Sequence, residues 1–285
     1  MLTREQVDRY RNDGFITVEH VLDDGFVADL RCVTDEFVAR SAQVTEHDDV
    51  YDLEPQHSAA SPQVRRIKNP NRWHPVFQKA LEHPGILDVV EQLIGPGIRY
   101  LTTKMNMKSP GVGSPVEWHQ DWAFYPHTHD DILAVGVAID AMTVENGCLL
   151  VVPGSHRGPV YEHHEDGVFI GAIGESIDES EVVPVTVDAG GISIHHVRTL
   201  HGSAPNRSAD PRRLLLLEMA AVDAWPLKGY GGFEAFNSRI LRGAPTSHAR
   251  VEPVPVVMPE PQPERGGSIY EIQTQMSRER ARLRQ

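Results

Sequence analysis

Four His-x-Asp pairs mark where this chain could do metal chemistry: His47-Asp49, His119-Asp121, His129-Asp131 and His164-Asp166. On an extended strand, residues two apart point the same way, so an imidazole and a carboxylate can reach one ion together. With a second histidine from elsewhere, they form the two-histidine, one-carboxylate face that holds iron(II) in non-haem oxygenases and leaves positions open for co-substrate and oxygen. The pair alone is cheap in a chain with 15 histidines and 40 acidic residues, so context must choose. His47 and His164 lie in acidic stretches without strand character, and His129 follows the loop-like Pro126-His127-Thr128. His119 follows a strand and a Pro110-Gly111 turn, sits in Glu117-Trp118-His119-Gln120-Asp121-Trp122, and is trailed by Phe124-Tyr125. His201 follows another strand and opens Gly202-Ser203-Ala204-Pro205-Asn206, with Arg212 eleven residues on. An arginine on the next strand is what a 2-oxoglutarate site needs, because its planar fork holds a carboxylate bidentately.

Composition narrows the classes. The 285 residues carry 27 Lys plus Arg against 40 Asp plus Glu, a formal charge of −13, with 40% hydrophobic residues. Such a chain can bury a sizeable core, and its acidity disfavours nucleic acid and anionic membranes as partners. A small-molecule substrate is expected; the oligomeric state is left open. Cys32 and Cys148 offer neither a disulfide framework nor a zinc spacing, the N-terminus lacks an apolar leader segment, and a cytoplasmic setting is expected. The longest apolar run, 214–222, contains Glu218 and is too short to span a bilayer.

The elements that must position these residues are legible in outline. Thr3 and Gln6 form a capping-box pattern, predicting an opening helix that Asp13-Gly14 ends. Residues 15–18 read as a strand; Phe26, Leu30, Val33 and Phe37 mark one face of a second helix. Residues 45–71 read as a long, partly mobile loop, and helical spacing returns from Pro75 to Leu93. After Gly97 the texture becomes short apolar or alternating runs, 98–107, 134–139, 148–152, 181–187, 191–196 and 213–221, separated by turn residues. That is the signature of a β-sandwich or barrel. Five prolines between Val251 and Glu264 exclude a helix or central strand there, and the Arg-rich 276–285 reads as a terminal helix. The expected organisation is a single domain: a helical N-terminal third (about 1–97), a β core (about 98–222) and a Pro-rich strap with a tail (about 223–285).

Four blocks in order give the chain a resemblance: Leu2-Thr3-Arg4-Glu5-Gln6…Asp13-Gly14-Phe15, Trp118-His119-Gln120-Asp121, Glu145-Asn146-Gly147-Cys148-Leu149…Pro153-Gly154-Ser155-His156, and His201-Gly202-Ser203…Pro205-Asn206-Arg207…Arg212-Arg213. Over roughly residues 1–222 it resembles the phytanoyl-CoA dioxygenase family of iron(II)/2-oxoglutarate-dependent oxygenases. The resemblance implies a mainly β fold with flanking helices around a double-stranded β-helix, a cupin-like jelly roll. It implies iron(II) on His119, Asp121 and His201, 2-oxoglutarate and O2 as co-substrates, Arg212 as the anchor of the distal carboxylate, and Ser203 as a second contact. The expected activity is hydroxylation of an aliphatic carbon with release of succinate and CO2. Halogenating relatives replace the motif carboxylate by a small residue, so Asp121 points to oxygen insertion. The acidic loop 155–186 is a poor host for a polyanionic CoA, and the founding substrate is not carried over.

Several residues have plain readings beside the functional ones. Lys104 is assigned to the co-substrate, against the alternative that Lys104 and Lys108 are surface lysines. Trp122, Phe124 and Tyr125 are candidate pocket walls or simple packing. Arg213 rivals Arg212, but adjacent strand residues face opposite ways, so one alone can face the metal. His195 and His196 alternate likewise, one toward the core, and His156 reads as satisfying its loop. Arg65, Arg66 and Lys68 could hold a substrate anion or be a solvated loop. A catalytically silent ligand-binding jelly roll, or a zinc hydrolase on the same three ligands, remains open at this point.

Overall fold

The structure, a computed structural model, describes residues 1–111, 113–174 and 176–263. The Arg-rich terminal segment at 276–285 lies outside these residues. Two antiparallel sheets form the body. The larger has eight strands, ordered Phe15–Val18, Ile192–His196, Ile132–Ala138, Arg212–Ala221, Ile98–Lys108, Val64–Lys68 and Tyr51–Leu53, with Ile240–Arg242 added beside Ile98–Lys108. The smaller has four, ordered Val183–Val185, Leu149–Val151, His201–Ser203 and Val116–His119. This is the mainly β jelly roll expected, with helices on one side.

Alternation along each central strand decides which side chain faces which layer. Met105, Met107, Ile192, Ile194, Leu215 and Leu217 join one apolar core with Leu30, Phe37, Phe77, Leu81, Ile86 and Val90 of the helices. Their neighbours Thr102, Lys104, Asn106, Ser193, His195, Arg212 and Glu218 line a cavity on the other face, shared with residues of the smaller sheet. A strand with one apolar and one polar face thus builds core and site at once.

The opening helix Arg4–Asp13 carries the predicted capping box, with Gln6 N donating to Thr3 Oγ1 at 3.2 Å and Thr3 N donating to Gln6 Oε1 at 2.9 Å. It ends at Gly14 with φ of 80°, where a Cβ would strike His156 and Thr199. The helix Asp24–Arg40 buries Leu30, Val33 and Phe37 as read. Between Pro75 and Leu93 the chain forms two helices, Pro75–Leu81 and Pro84–Ile94, because Pro84 has no N–H to continue the first and suits the opening turn of the second.

The largest correction concerns 45–71, which is not simply a loop. Val64–Lys68 pairs with the edge of Ile98–Lys108, placing Arg66 opposite Asn106, and Tyr51–Leu53 pairs with Val64–Lys68 in turn. Asp52, buried, meets Lys68 Nζ at 2.9 Å, so its charge is compensated across the hairpin. A polar, weakly patterned segment becomes strand through pairing with a distant partner, which local periodicity does not encode. The acidic stretch around His164 likewise holds a short hairpin, His164–Glu165 with Val168–Phe169. The Pro-rich 251–263 has no regular structure, as expected, and is fastened by Trp122 Nε1 donating to Pro255 O at 2.8 Å and Phe169 N to Pro261 O at 3.0 Å.

Candidate metal centre

His119 ends the strand Val116–His119 and lies directly across from His201 in register, which brings two residues distant in sequence to ring centroids 4.1 Å apart. Asp121 opens the following 3-10 turn. That turn is pinned from behind by Gln120, fully buried, whose side chain donates to Pro159 O and Arg198 O and accepts from Tyr161 N. Asp121 therefore projects beside the two histidines, its carboxylate 3.8 Å from His119 Nε2 and 3.9 Å from His201 Nε2. One donor atom from each residue lies within 4.8 Å of the others, the single such trio among the described residues.

Both imidazoles are set for ligation. His119 Nδ1 lies 2.8 Å from Glu117 O and His201 Nδ1 lies 2.9 Å from Thr199 O, so each Nδ1–H donates to a carbonyl and leaves the Nε2 lone pair facing Asp121. Burial pushes both histidines toward the neutral form a ligand needs. Burial opposes the charge on Asp121, yet the hydrogen bond from His195 and the nearby His201 and Lys104 hold its carboxyl well below the usual range. Two neutral nitrogens and one carboxylate fit iron(II) in a site with open positions.

The cavity beside them has a volume of about 410 Å³. Arg212 and Ser203 line one part of it, both buried. Lys108, opposite Arg212 in register, is not a surface lysine: it is 2% exposed, and its Nζ donates to Ser203 Oγ at 2.8 Å and to Ala204 O. Burial and the Arg212 charge lower its pKa to about 6. Gly147 makes this packing possible, since with φ of 80° it passes so close to the Ala204 carbonyl and Lys108 Nζ that a side chain has no room. Lys104 also lines the cavity, its Nζ 3.1 Å from Glu218 Oε1, while Tyr125 donates to Glu218 Oε2 at 2.7 Å. Burial and Asp121 raise the Glu218 pKa.

Phe124 and Tyr125 are cavity walls, as read. Trp122 is not: it packs with Ile132, Val197, Ala220 and Ala224 in a separate apolar cluster, because the 3-10 turn rotates it away from the face Asp121 takes. Arg213 faces the helical layer and grips Asp140 through Nε at 2.7 Å and Nη2 at 2.8 Å. His195 faces the cavity with Nε2 3.3 Å from Asp121 Oδ2, whereas His196 points the other way, toward Asp130. His156 Nε2 satisfies Arg11 O. Of the other His-x-Asp pairs, His47 accepts from Leu53 N and His164 meets Glu162. His129, expected in an exposed loop, is fully buried against Asp223. Arg65 is buried on Glu54 and Ser114, and Arg66 reaches the cavity. Local sequence carried no signal for the roles of Lys108, Gln120 or Glu218, although Glu218 breaking an apolar run was a visible oddity. Among the described residues no helix is long and apolar enough to cross a membrane.

A jelly roll whose two sheets enclose two neutral histidines, one carboxylate and a buried arginine defines the class of metal-dependent, 2-oxoglutarate-using oxygenases. Comparison with known proteins agrees. The profile of the phytanoyl-CoA dioxygenase (PhyH) family matches residues 10–214, and the chain belongs to that family. It is 35% identical over 276 residues, 94% of this chain and 96% of the other, to a probable alpha-ketoglutarate-dependent hypophosphite dioxygenase of Stutzerimonas stutzeri. It is 28% identical over 186 residues, 57% of this chain and 69% of the other, to the L-proline trans-4-hydroxylase of Streptomyces griseoviridis. The solved structure of the non-heme monooxygenase ThoJ in its apo form superposes with a TM-score of 0.68 at 22% identity, covering 87% of this chain and 89% of that one, a likeness of fold. The chain is an iron- and 2-oxoglutarate-dependent dioxygenase.

Proposed function

We propose that this enzyme hydroxylates an aliphatic carbon of a small polar molecule, with His119, Asp121 and His201 holding iron(II). The observation that carries the reading is the buried His119–Asp121–His201 trio opening into a cavity that also presents Arg212. When bound, iron(II) with 2-oxoglutarate and O2 supplies the oxidising power, and 2-oxoglutarate leaves as succinate and CO2. The protein's own residues place and shield these partners. Arg212 offers a planar fork to the distal carboxylate of 2-oxoglutarate, and Ser203 adds a hydroxyl whose orientation Lys108 sets. His195 steadies the Asp121 carboxylate, and Phe124, Phe169 and Ile170 wall the cavity against water. The separated thiols, Cys32 exposed and Cys148 buried, support a cytoplasmic setting.

A second reading is favoured by the relative similar over nearly the whole of both chains: the oxidised atom is phosphorus, an oxygen entering a P–H bond of hypophosphite to give phosphite. One assay tests both readings. Purified protein with iron(II), ascorbate and 2-oxoglutarate is offered hypophosphite, L-proline and other small polar molecules, with succinate measured and products followed by phosphorus and carbon NMR. Succinate formed in step with one oxidised product supports the function and names the atom. No succinate with any substrate, and no 2-oxoglutarate binding by calorimetry, overturns it.

A further inference from the structure

One stretch of cavity wall is used by neither the metal trio nor Arg212. Thr102, Lys104 and Asn106 share the cavity face of Ile98–Lys108, with Arg66 opposite Asn106 and Glu218 opposite Thr102 in the neighbouring strands. Lys104 pairs across from Leu216, four positions along the strand from Arg212, or roughly 13 Å. It therefore addresses a different part of the cavity from the carboxylate anchor.

The hydrogen bonding of this wall leaves donors facing the cavity. Glu218 is 1% exposed and has both oxygens engaged, one by Lys104 Nζ at 3.1 Å and one by the Tyr125 hydroxyl at 2.7 Å. The carboxylate thus holds the ammonium by one of its three N–H groups and leaves two for a ligand. Next along the strand, Asn106 Oδ1 accepts from Arg66 Nε at 3.2 Å, so the amide NH2 is what Asn106 can present. Ammonium, amide and guanidinium donors follow one another on one wall.

Charge points the same way. With histidines neutral, the described residues lining the cavity bring three cations, Arg66, Lys104 and Arg212, against two carboxylates, Asp121 and Glu218. Iron(II) and the 2-oxoglutarate dianion cancel, so the loaded cavity keeps one positive charge. In a site of low dielectric that excess is best neutralised by the substrate itself. A cation is repelled, and a polyphosphorylated thioester brings more negative charge than one unit can balance.

We propose that Lys104, with Asn106 and Arg66, recognises the substrate, and that this substrate is a small monoanion, a carboxylate or oxyanion. Glu218 and Tyr125 are positioning residues that aim the Lys104 ammonium. The proposal rests on the dioxygenase reading above and adds the substrate class and the residues that read it.

The test is binding to the full chain loaded with iron(II) and 2-oxoglutarate without oxygen, followed by the weak visible absorption of that complex. The probes are formate and hypophosphite as monoanions, formamide as a neutral mimic and tetramethylammonium as a cation. The wild type is expected to respond to the monoanions and to neither control. Lys104→Met should weaken anion binding roughly tenfold to a hundredfold, as loss of a buried charge-assisted contact does, with 2-oxoglutarate affinity by calorimetry held within about twofold. Lys104→Arg should recover most of the anion affinity, which a purely structural role would not require. Thermal melts identify a variant that fails to fold, in which case Lys104→Gln, keeping the polar stem, takes its place. Equal response to formamide or tetramethylammonium, no response to either monoanion, or unchanged anion binding in Lys104→Met overturns the proposal. So does a loss confined to 2-oxoglutarate affinity, which would assign Lys104 to the co-substrate. A wild type that forms no iron(II)–2-oxoglutarate complex overturns the dioxygenase reading itself, a result distinguishable from all of these.

Discussion

Replacing Arg212 by Met removes a guanidinium and keeps most of its volume, so the consequence for co-substrate binding can be worked from its surroundings. Arg212 is 3% exposed and Ser203 8%, which makes the site one where a carboxylate contact is poorly screened by water. Deleting one partner of a buried, hydrogen-bonded charge pair costs about 2–5 kcal/mol, and each 1.4 kcal/mol is tenfold, so 2-oxoglutarate affinity should fall by roughly 30-fold to 3,000-fold. Lys108 moderates this. Its pKa of about 6 is depressed first by burial and then by Arg212, and without the neighbouring cation it accepts a proton more readily and offers partial compensation. The lower half of the range, roughly 30-fold to 300-fold, is therefore expected near neutral pH. The assay is calorimetric titration of metal-loaded protein with 2-oxoglutarate, alongside iron stoichiometry, which should not change. Arg213→Met is the matched control one residue along the strand. It loses the two-point contact with Asp140 and the pair with Asp35 on the helical side, and should cost about 1–3 kcal/mol of stability in a denaturant melt while leaving 2-oxoglutarate affinity intact. Unchanged 2-oxoglutarate affinity in Arg212→Met, or equal losses in both variants, would refute the assignment.

Other consequences can be checked with the same protein. His201→Ala should reduce bound iron well below one per chain by metal analysis, whereas His129→Ala should leave iron content unchanged and lower stability by about 1–3 kcal/mol through its lost bond to Asp223. Lys108→Met should change the pH dependence of stability in a definite direction. The native amine binds its proton only below about pH 6, the unfolded one up to about pH 10.4, so the wild type becomes more stable as pH rises through that window. The stability advantage of Lys108→Met should consequently shrink by at most about 1.4 kcal/mol per pH unit between pH 7 and 9; a widening gap in paired melts would contradict the buried neutral amine. Gly147→Ala should cost about 1–3 kcal/mol from its left-handed backbone alone, and more because the new methyl meets the Ala204 carbonyl that accepts from Lys108, an effect read as a lower thermal midpoint.

Much of the site was legible before folding was considered. The texture change at Gly97 announced a β sandwich, the Thr3 box and the 26/30/33/37 face announced helices, and alternation alone separated Arg212 from Arg213 and His195 from His196. These are local statements: propensity and a period of two or 3.6 decide which way a side chain points relative to its own element. They do not decide which strands become neighbours. That His119 and His201 share an ion site follows from Val116–His119 pairing with His201–Ser203 in one register, and a one-residue slip would turn His201 out of the cavity. The same pairing of distant segments turned 64–68 from loop to strand, carried Arg66 to the cavity, and buried Lys108 behind Ser203. The sequence by itself determined the chemistry available, two histidines, a carboxylate and an arginine on β elements. Only the tertiary structure decided which of four His-x-Asp pairs meets a third ligand, because coordination and charge balance depend on distances between segments that no local pattern records.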